Sequence, residues 1–218
     1  SHWFFVDADV DVGKVVFANE VTNADGITVP RSASFTPQLI INDDATLNFI
    51  AGTVTGEGTF NVEVGCSTCD PDPSVSAPVI ANIDADFSDF ANNTGSRFDY
   101  DLTLSDNTAV YLPASFPDIY PNLQVKGQSG TNRVLIFQED ILVKGYLAIR
   151  QDATLRLSDT EFGDFEVMGN LDFTINAGDD KLEFPSTGYE RTFTLHGDIL
   201  MEDGDNDAIV VNNTTPSG

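Results

Sequence analysis

Apolar and polar residues alternate with a period of two along much of the chain. Val6, Ala8, Val10 and Val12 alternate with Asp7, Asp9 and Asp11, and Phe60, Val62 and Val64 alternate with Asn61 and Glu63. Phe162, Phe165 and Val167 stand among Glu161, Gly163, Asp164 and Glu166. Successive side chains of a strand point to opposite faces, so this pattern predicts strands buried on one side. Sustained apolar spacing at i, i+3, i+4 and i+7 is missing. Gly, Asn, Asp and Pro punctuate the alternating segments, which predicts an all-β protein with frequent turns.

Repetition sharpens the prediction. An eleven-residue pattern runs from Leu39 to Phe49, from Leu102 to Leu112 and from Leu147 to Leu157, with apolar residues at its first, third, ninth and eleventh positions. Looser copies with insertions run from Leu171 to Phe184 and from Ile199 to Val211. A second motif, apolar-x-Gly-x-apolar, precedes three of the copies: Val143 to Leu147, Val167 to Leu171, and Leu195 to Ile199. A related piece, Leu123 to Gly127, lies upstream, so the glycines fall at 127, 145, 169 and 197.

A constant motif at uneven spacing predicts coils of one solenoid joined by loops of different length. A coil of about 20 residues cannot bury its own apolar face, whereas stacked coils bury it against each other. Parallel coils favour a right-handed path. The expected fold is therefore an all-β, right-handed parallel β-helix forming one elongated domain over residues 1–218. The alternative is a β-sandwich over residues 1–100 followed by a solenoid over 101–218. The stretches 66–78 and 113–121, rich in Pro, read as long loops.

Charge excludes several function classes. The chain has 35 acidic and 10 basic residues, a net charge of −25. Nucleic-acid binding needs clustered Lys and Arg to neutralise phosphates, and docking on an anionic membrane needs the same sign of charge. There is no run of 18 apolar residues, so no membrane-spanning helix is expected. The first residues lack the basic and apolar stretches of a signal peptide, which points to a leader already removed or to an excised fragment. Asp-rich turns fit calcium, whose preferred ligands are carboxylate and carbonyl oxygens. Asp203, Asp205 and Asp207 are the first candidate ligands. The competing reading is that Asp, Asn and Gly serve turns and solubility. Tyr111 and Tyr146 fall at outward repeat positions and are candidate glycan contacts.

Cys66 and Cys69 form a CxxC pair. The preferred reading is a local disulfide stapling a loop in an oxidising compartment. A redox motif and half of a zinc site are the alternatives. No Gly-x-Ser-x-Gly elbow is present, and His2 and His196 have no partner identifiable from sequence. With 35 acidic residues, some carboxylate pair will meet a glycosidase spacing by chance. A lyase would draw on Lys144, Arg150 or Arg156, which lie in one regular coil. A non-catalytic role is expected.

Two runs carry a family resemblance. Tyr120, Asn122, Leu123, Val125 and Gly127 form the first; Val143, Gly145, Leu147, Ile149, Ala153, Thr154 and Leu155 form the second. Together with the copies at Val167 to Leu171 and Leu195 to Ile199, they resemble the β-helical repeats of large secreted and cell-surface proteins of the Bacteroidota. Such proteins are commonly exported by the type IX secretion system and act as adhesins or surface scaffolds. The resemblance covers residues 116–202 well and the rest loosely. The carboxy-terminal sorting domain of that class is not visible. What the resemblance implies is an extracellular or cell-surface structural or adhesive segment. Its expected partners are surface polysaccharide or neighbouring copies of the chain, without nucleic acid and without membrane insertion. A polysaccharide-binding or polysaccharide-cleaving β-helix is the alternative.

Overall fold

The computed structural model describes residues 3–6, 10–11, 14–17, 20–22, 28–30, 38–41, 47–56, 58–64, 83–103, 108–112, 116–158, 164–174, 178–184, 192–202 and 206–211. Side chains are described for Val54 and, apart from Glu63, 83–86 and Thr108, from Gly58 onward.

The first half carries β1 (Trp3–Val6), β2 (Val10–Asp11), β3 (Lys14–Phe17), β4 (Glu20–Thr22), β5 (Thr28–Pro30), β6 (Gln38–Ile41), β7 (Leu47–Gly56), β8 (Thr59–Val64) and β9 (Ile83–Asp86). A short helix, α1 (Ser88–Ala91), follows. Three-sided coils come next. The first is β10 (Arg97–Leu102), β11 (Thr108–Tyr111) and β12 (Ile119–Tyr120); the second is β13 (Leu123–Lys126), β14 (Arg133–Phe137) and β15 (Ile141–Val143). The third is β16 (Leu147–Arg150), β17 (Ala153–Leu157) and β18 (Phe165–Val167). The fourth is β19 (Leu171–Asp172), β20 (Lys181–Phe184) and β21 (Phe193–Leu195), and β22 (Ile199–Leu200) and β23 (Ala208–Val211) begin a fifth.

Each side of the coil stacks into its own sheet. The first sheet runs β1-β6-β8-β10-β13-β16-β19-β22, the second β11-β14-β17-β20-β23 and the third β12-β15-β18-β21. All pairings in these sheets are parallel; among the described residues only β4 and β5 pair antiparallel. The chain is thus a parallel β-solenoid of about four turns, as the repeats predict. β1, β6 and β8 extend the same sheet as the later coils.

Register decides what is buried. Phe60 pairs with Phe98, Phe98 with Leu123, Leu123 with Leu147, Leu147 with Leu171 and Leu171 with Ile199. From Phe98 the coils therefore advance by 25, 24, 24 and 28 residues. Val110, Leu135, Leu155, Leu182 and Ile209 form the matching ladder of the second sheet. Aromatic residues fill the first coils: Phe98 lies 4.9 Å from Phe60 and 5.4 Å from Tyr120, ring centre to ring centre. Tyr100 and Tyr120 are both fully buried, and their hydroxyls meet at 3.0 Å, which satisfies two polar groups inside an apolar core. Later coils stack Leu and Ile in the first two sheets and keep an aromatic pair in the third, Phe165 and Phe193 with ring centres 5.7 Å apart. Ile149 has no solvent exposure, so Ile149→Val should cost about 1 kcal/mol, read as a lower urea midpoint with an unchanged slope.

Two sequence assignments shift. The residue stacked beneath Leu123 and Leu147 is Phe98, not Leu102, because the first corner of that coil is longer. Val110 and Leu112 nonetheless fall where the pattern puts them, beneath the equivalents of Leu155 and Leu157. Gly127 does not belong with the other motif glycines. Gly145 N–H bonds Pro121 O at 2.6 Å, Gly169 N–H bonds Gly145 O at 2.8 Å and Gly197 N–H bonds Gly169 O at 3.1 Å. Pro121 is thus the first rung of that stack. Gly127 lies at the next corner, its N–H on Arg150 O at 2.9 Å.

Candidate functional site

Backbone groups that leave the sheets at the corners need partners when the chain turns. Side-chain oxygens supply them from one coil to the next. At the corner between the third and first sheets, Asn122 Oδ1 accepts from Tyr146 N–H at 3.0 Å and Asn170 Oδ1 from Asp198 N–H at 3.0 Å. Asn122 Nδ2 also donates to Thr94 O at 2.8 Å and Ser96 O at 2.7 Å. A Cβ on Gly145 would sit 2.0 Å from Asn122 Oδ1, so the close approach requires glycine there. Between the second and third sheets, Asp140 Oδ1 accepts from Asp164 N–H at 2.9 Å, and Asp164 Oδ1 from Thr192 N–H at 3.1 Å.

The corner between the first and second sheets is the most acidic. Gln151 and Asp152 both take φ of 60°, a left-handed conformation that Asp tolerates better than most residues. Asp152 accepts from the N–H groups of Gly130 and Asp179. Asp180 Oδ1 accepts from Ala153 N–H at 3.2 Å, and Asp180 N–H donates to Asp207 Oδ1 at 3.2 Å. Asp180 is fully buried and its Oδ2 has no hydrogen-bond partner. Burial pushes its carboxyl up to about 7; the Ala153 N–H opposes this, and the neighbouring Asp207 and Asp152 carboxylates add to it.

Of the three calcium candidates, Asp203 and Asp205 lie outside the described residues. Asp207 is in the corner ladder just described. Among the described residues no three His, Cys, Asp or Glu side chains group so as to hold a metal.

The outer face of the first sheet gathers a different set. Arg97 forms a two-pronged pair with Asp99, Nε to Oδ1 at 2.5 Å and the terminal nitrogen to Oδ2 at 2.7 Å. Burial weakens the Arg97 cation, but its pairing with Asp99 more than restores it, and the net pKa is raised. Burial raises the Asp99 carboxyl, with Arg97 opposing. Lys126 Nζ lies 3.3 Å from Asp101 Oδ1, and Asn61 Nδ2 donates to Asp101 Oδ2 at 3.0 Å. Arg150 follows Lys126 in the same ladder. Its pKa is lowered by burial and then by repulsion from Arg97. Tyr146 sits beside Arg97. Arg150 Nε and Gln124 Oε1 are buried without a hydrogen-bond partner. Three cations, two carboxylates and a phenol thus share one surface in a chain whose net charge is −25.

The candidates from sequence are spread around the coil. Tyr111, half-buried, lies in β11 on the second sheet, while Tyr146, also half-buried, enters β16 on the first. The structure does not bring them together. Lys144 donates to Asn92 Oδ1 at 2.5 Å, and Arg156 pairs with Glu183 at 2.7 Å on the second sheet, so neither joins Arg150. His196 Nε2 meets Glu166 Oε1 at 2.8 Å on the exposed side of β18 and β21. Cys66, Cys69 and His2 lie outside the described residues. Sequence reasoning missed Arg97, Asp99 and Gln124. Their common surface follows from the register that sets Asp99 beside Gln124 and Asp101 beside Lys126; the advance of about one coil between them was the available signal. No protein-family model matches the chain, and neither a curated protein nor a solved structure matches it.

Proposed function

We propose that this chain is a non-catalytic structural or adhesive segment of a bacterial surface or secreted protein, acting outside the cell by presenting the flank of a rigid solenoid. One observation supports this reading above others: the carboxylates and amides at all three corners accept backbone N–H groups from adjacent coils. Four carboxylates, those of Asp140, Asp152, Asp164 and Asp180, are thereby engaged in coil-to-coil cohesion.

A second reading, polysaccharide binding or cleavage, draws support from the first-sheet surface. Arg97, Arg150 and Tyr146, each half-buried, together offer hydrogen bonds and a ring edge to a sugar. The two readings separate in a screen of the purified chain against acidic and neutral polysaccharides, with and without calcium, recording both retention and new chain ends. Retention without cleavage, weakened several-fold in Arg150→Gln and Tyr146→Ala, is the expected result for an adhesive flank. New chain ends that disappear in Arg150→Gln would establish cleavage and overturn the non-catalytic reading.

A further inference from the structure

We propose that the outer face of β10, β13 and β16 binds the carboxylate group of an acidic saccharide, with Arg150 receiving it and the Tyr146 ring beside the sugar. This assignment rests on the reading of that face as a saccharide-binding surface, and it names the class of sugar. All three strands are interior to their sheet, between β8 and β19. Register sets Asp101, Lys126 and Arg150 in one ladder. Each carboxylate of the face already has a cation. Asp99 is 3% exposed and held at both oxygens by Arg97. Asp101 has Lys126 at 3.3 Å and the Asn61 amide at 3.0 Å. Arg150 belongs to neither pair; among the described residues it has no ion pair and no hydrogen bond. Three cations against two carboxylates leave one positive charge over, and it sits on Arg150.

The surroundings of Arg150 define what it would take. Burial and then the nearby Arg97 cation work against its charge, more than Asp99, Tyr146 and Asp101 offset. An anion beside it relieves that repulsion; a neutral ligand does not. A carboxylate can accept two parallel N–H groups from a guanidinium, the arrangement Asp99 already makes with Arg97. Arg150 Nε is buried, so the terminal nitrogens of this half-buried side chain are the donors. Tyr146 is half-buried too, and its phenol lies close enough to both guanidinium groups to act on their charge. Its ring gives a pyranose an apolar surface next to that charge.

Biolayer interferometry of the purified chain on immobilised polygalacturonate and on its methyl ester tests the assignment. Salt of about 0.15 M screens repulsion from the net charge of −25 beyond about 8 Å. Esterification removes the charge of the polymer and keeps its backbone. The expected result is binding to the acid, about tenfold weaker for the ester and for Arg150→Gln, with part of the affinity kept by Arg150→Lys. Lys181→Gln makes the same change of charge on the second sheet and should leave binding unchanged. Matching thermal melts show that the variants fold. Equal binding to acid and ester, lost in Tyr146→Ala, keeps the saccharide-binding reading and overturns the carboxylate assignment. Binding to the acid that survives Arg150→Gln, or that falls as far in Lys181→Gln, overturns it by placing the contact elsewhere. Polyglutamate that binds as tightly as polygalacturonate transfers the site to an acidic protein and overturns the saccharide. No binding to polygalacturonate, alginate or hyaluronan overturns the carboxylate assignment, and no binding to neutral polysaccharides either overturns the reading of the face with it.

Discussion

Asp180→Asn should gain on the natural chain as pH rises, by on the order of 4 kcal/mol at pH 8 and under about 1 kcal/mol at pH 4. The cause is a carboxyl with no solvent exposure and an Oδ2 without a partner. Its folded pKa is about 7 against 3.8 for the free side chain. Between those values the folded state holds a proton that the unfolded state has released. Unfolding then releases that proton, so stability falls as pH rises through this window and levels off above about pH 7. Below the unfolded value both states are protonated and the term vanishes. Asn is neutral throughout and keeps an oxygen for the Ala153 N–H, so this part of the pH slope should disappear. Thermal melts of both chains from pH 4 to pH 9 measure it. Parallel pH profiles for the two chains would show instead that Asp180 titrates as an ordinary carboxylate.

Asn122→Ala should lower stability by on the order of 4 kcal/mol, a fall in melting temperature of roughly 10 °C. Asn122 is 6% exposed and makes three hydrogen bonds, donating to Thr94 O and Ser96 O and accepting from Tyr146 N–H. Alanine removes all three and leaves the carbonyl of buried Ser96 without this donor, which costs more than that bond itself contributes; Thr94 is exposed and Tyr146 half-buried, so their groups can turn to water. Asn122→Asp should be at least as damaging, since it sets a charge against two carbonyl oxygens. Asn170 holds the same rung one coil above Tyr146 but accepts one exposed bond, from Asp198 N–H. Asn170→Ala should therefore cost under about 1 kcal/mol. Equal losses at the two positions would contradict the difference in burial and bonding.

The fold was legible in the sequence to an unusual depth because a solenoid writes its period directly into the chain. Leu147 to Leu157 reads as two short strands around a corner, and β16 and β17 are those strands. The apolar rungs at Leu171, Leu182 and Ile209 follow from the same alternation. Gly145, Gly169 and Gly197 announce a corner because only a residue without Cβ allows the coils to approach.

What the sequence could not decide was which residues share a rung when a corner changes length. Leu102 matched the repeat, yet Phe98 stacks beneath Leu123. Gly127 matched the glycine motif, yet Pro121 starts that stack. Local pattern fixes which side chains face inward, since alternation is a property of each strand alone. Register between coils is set by packing across some 24 residues of intervening chain, and a few inserted residues shift it without altering the pattern. The same distinction holds for the polar groups. The sequence supplied the acidic turns, but tertiary stacking buried Asp180 while leaving Asp179 exposed, and set Arg97, Asp99, Lys126 and Arg150 on one surface. Burial and proximity of charge arise between coils, and they therefore belong to the tertiary structure alone.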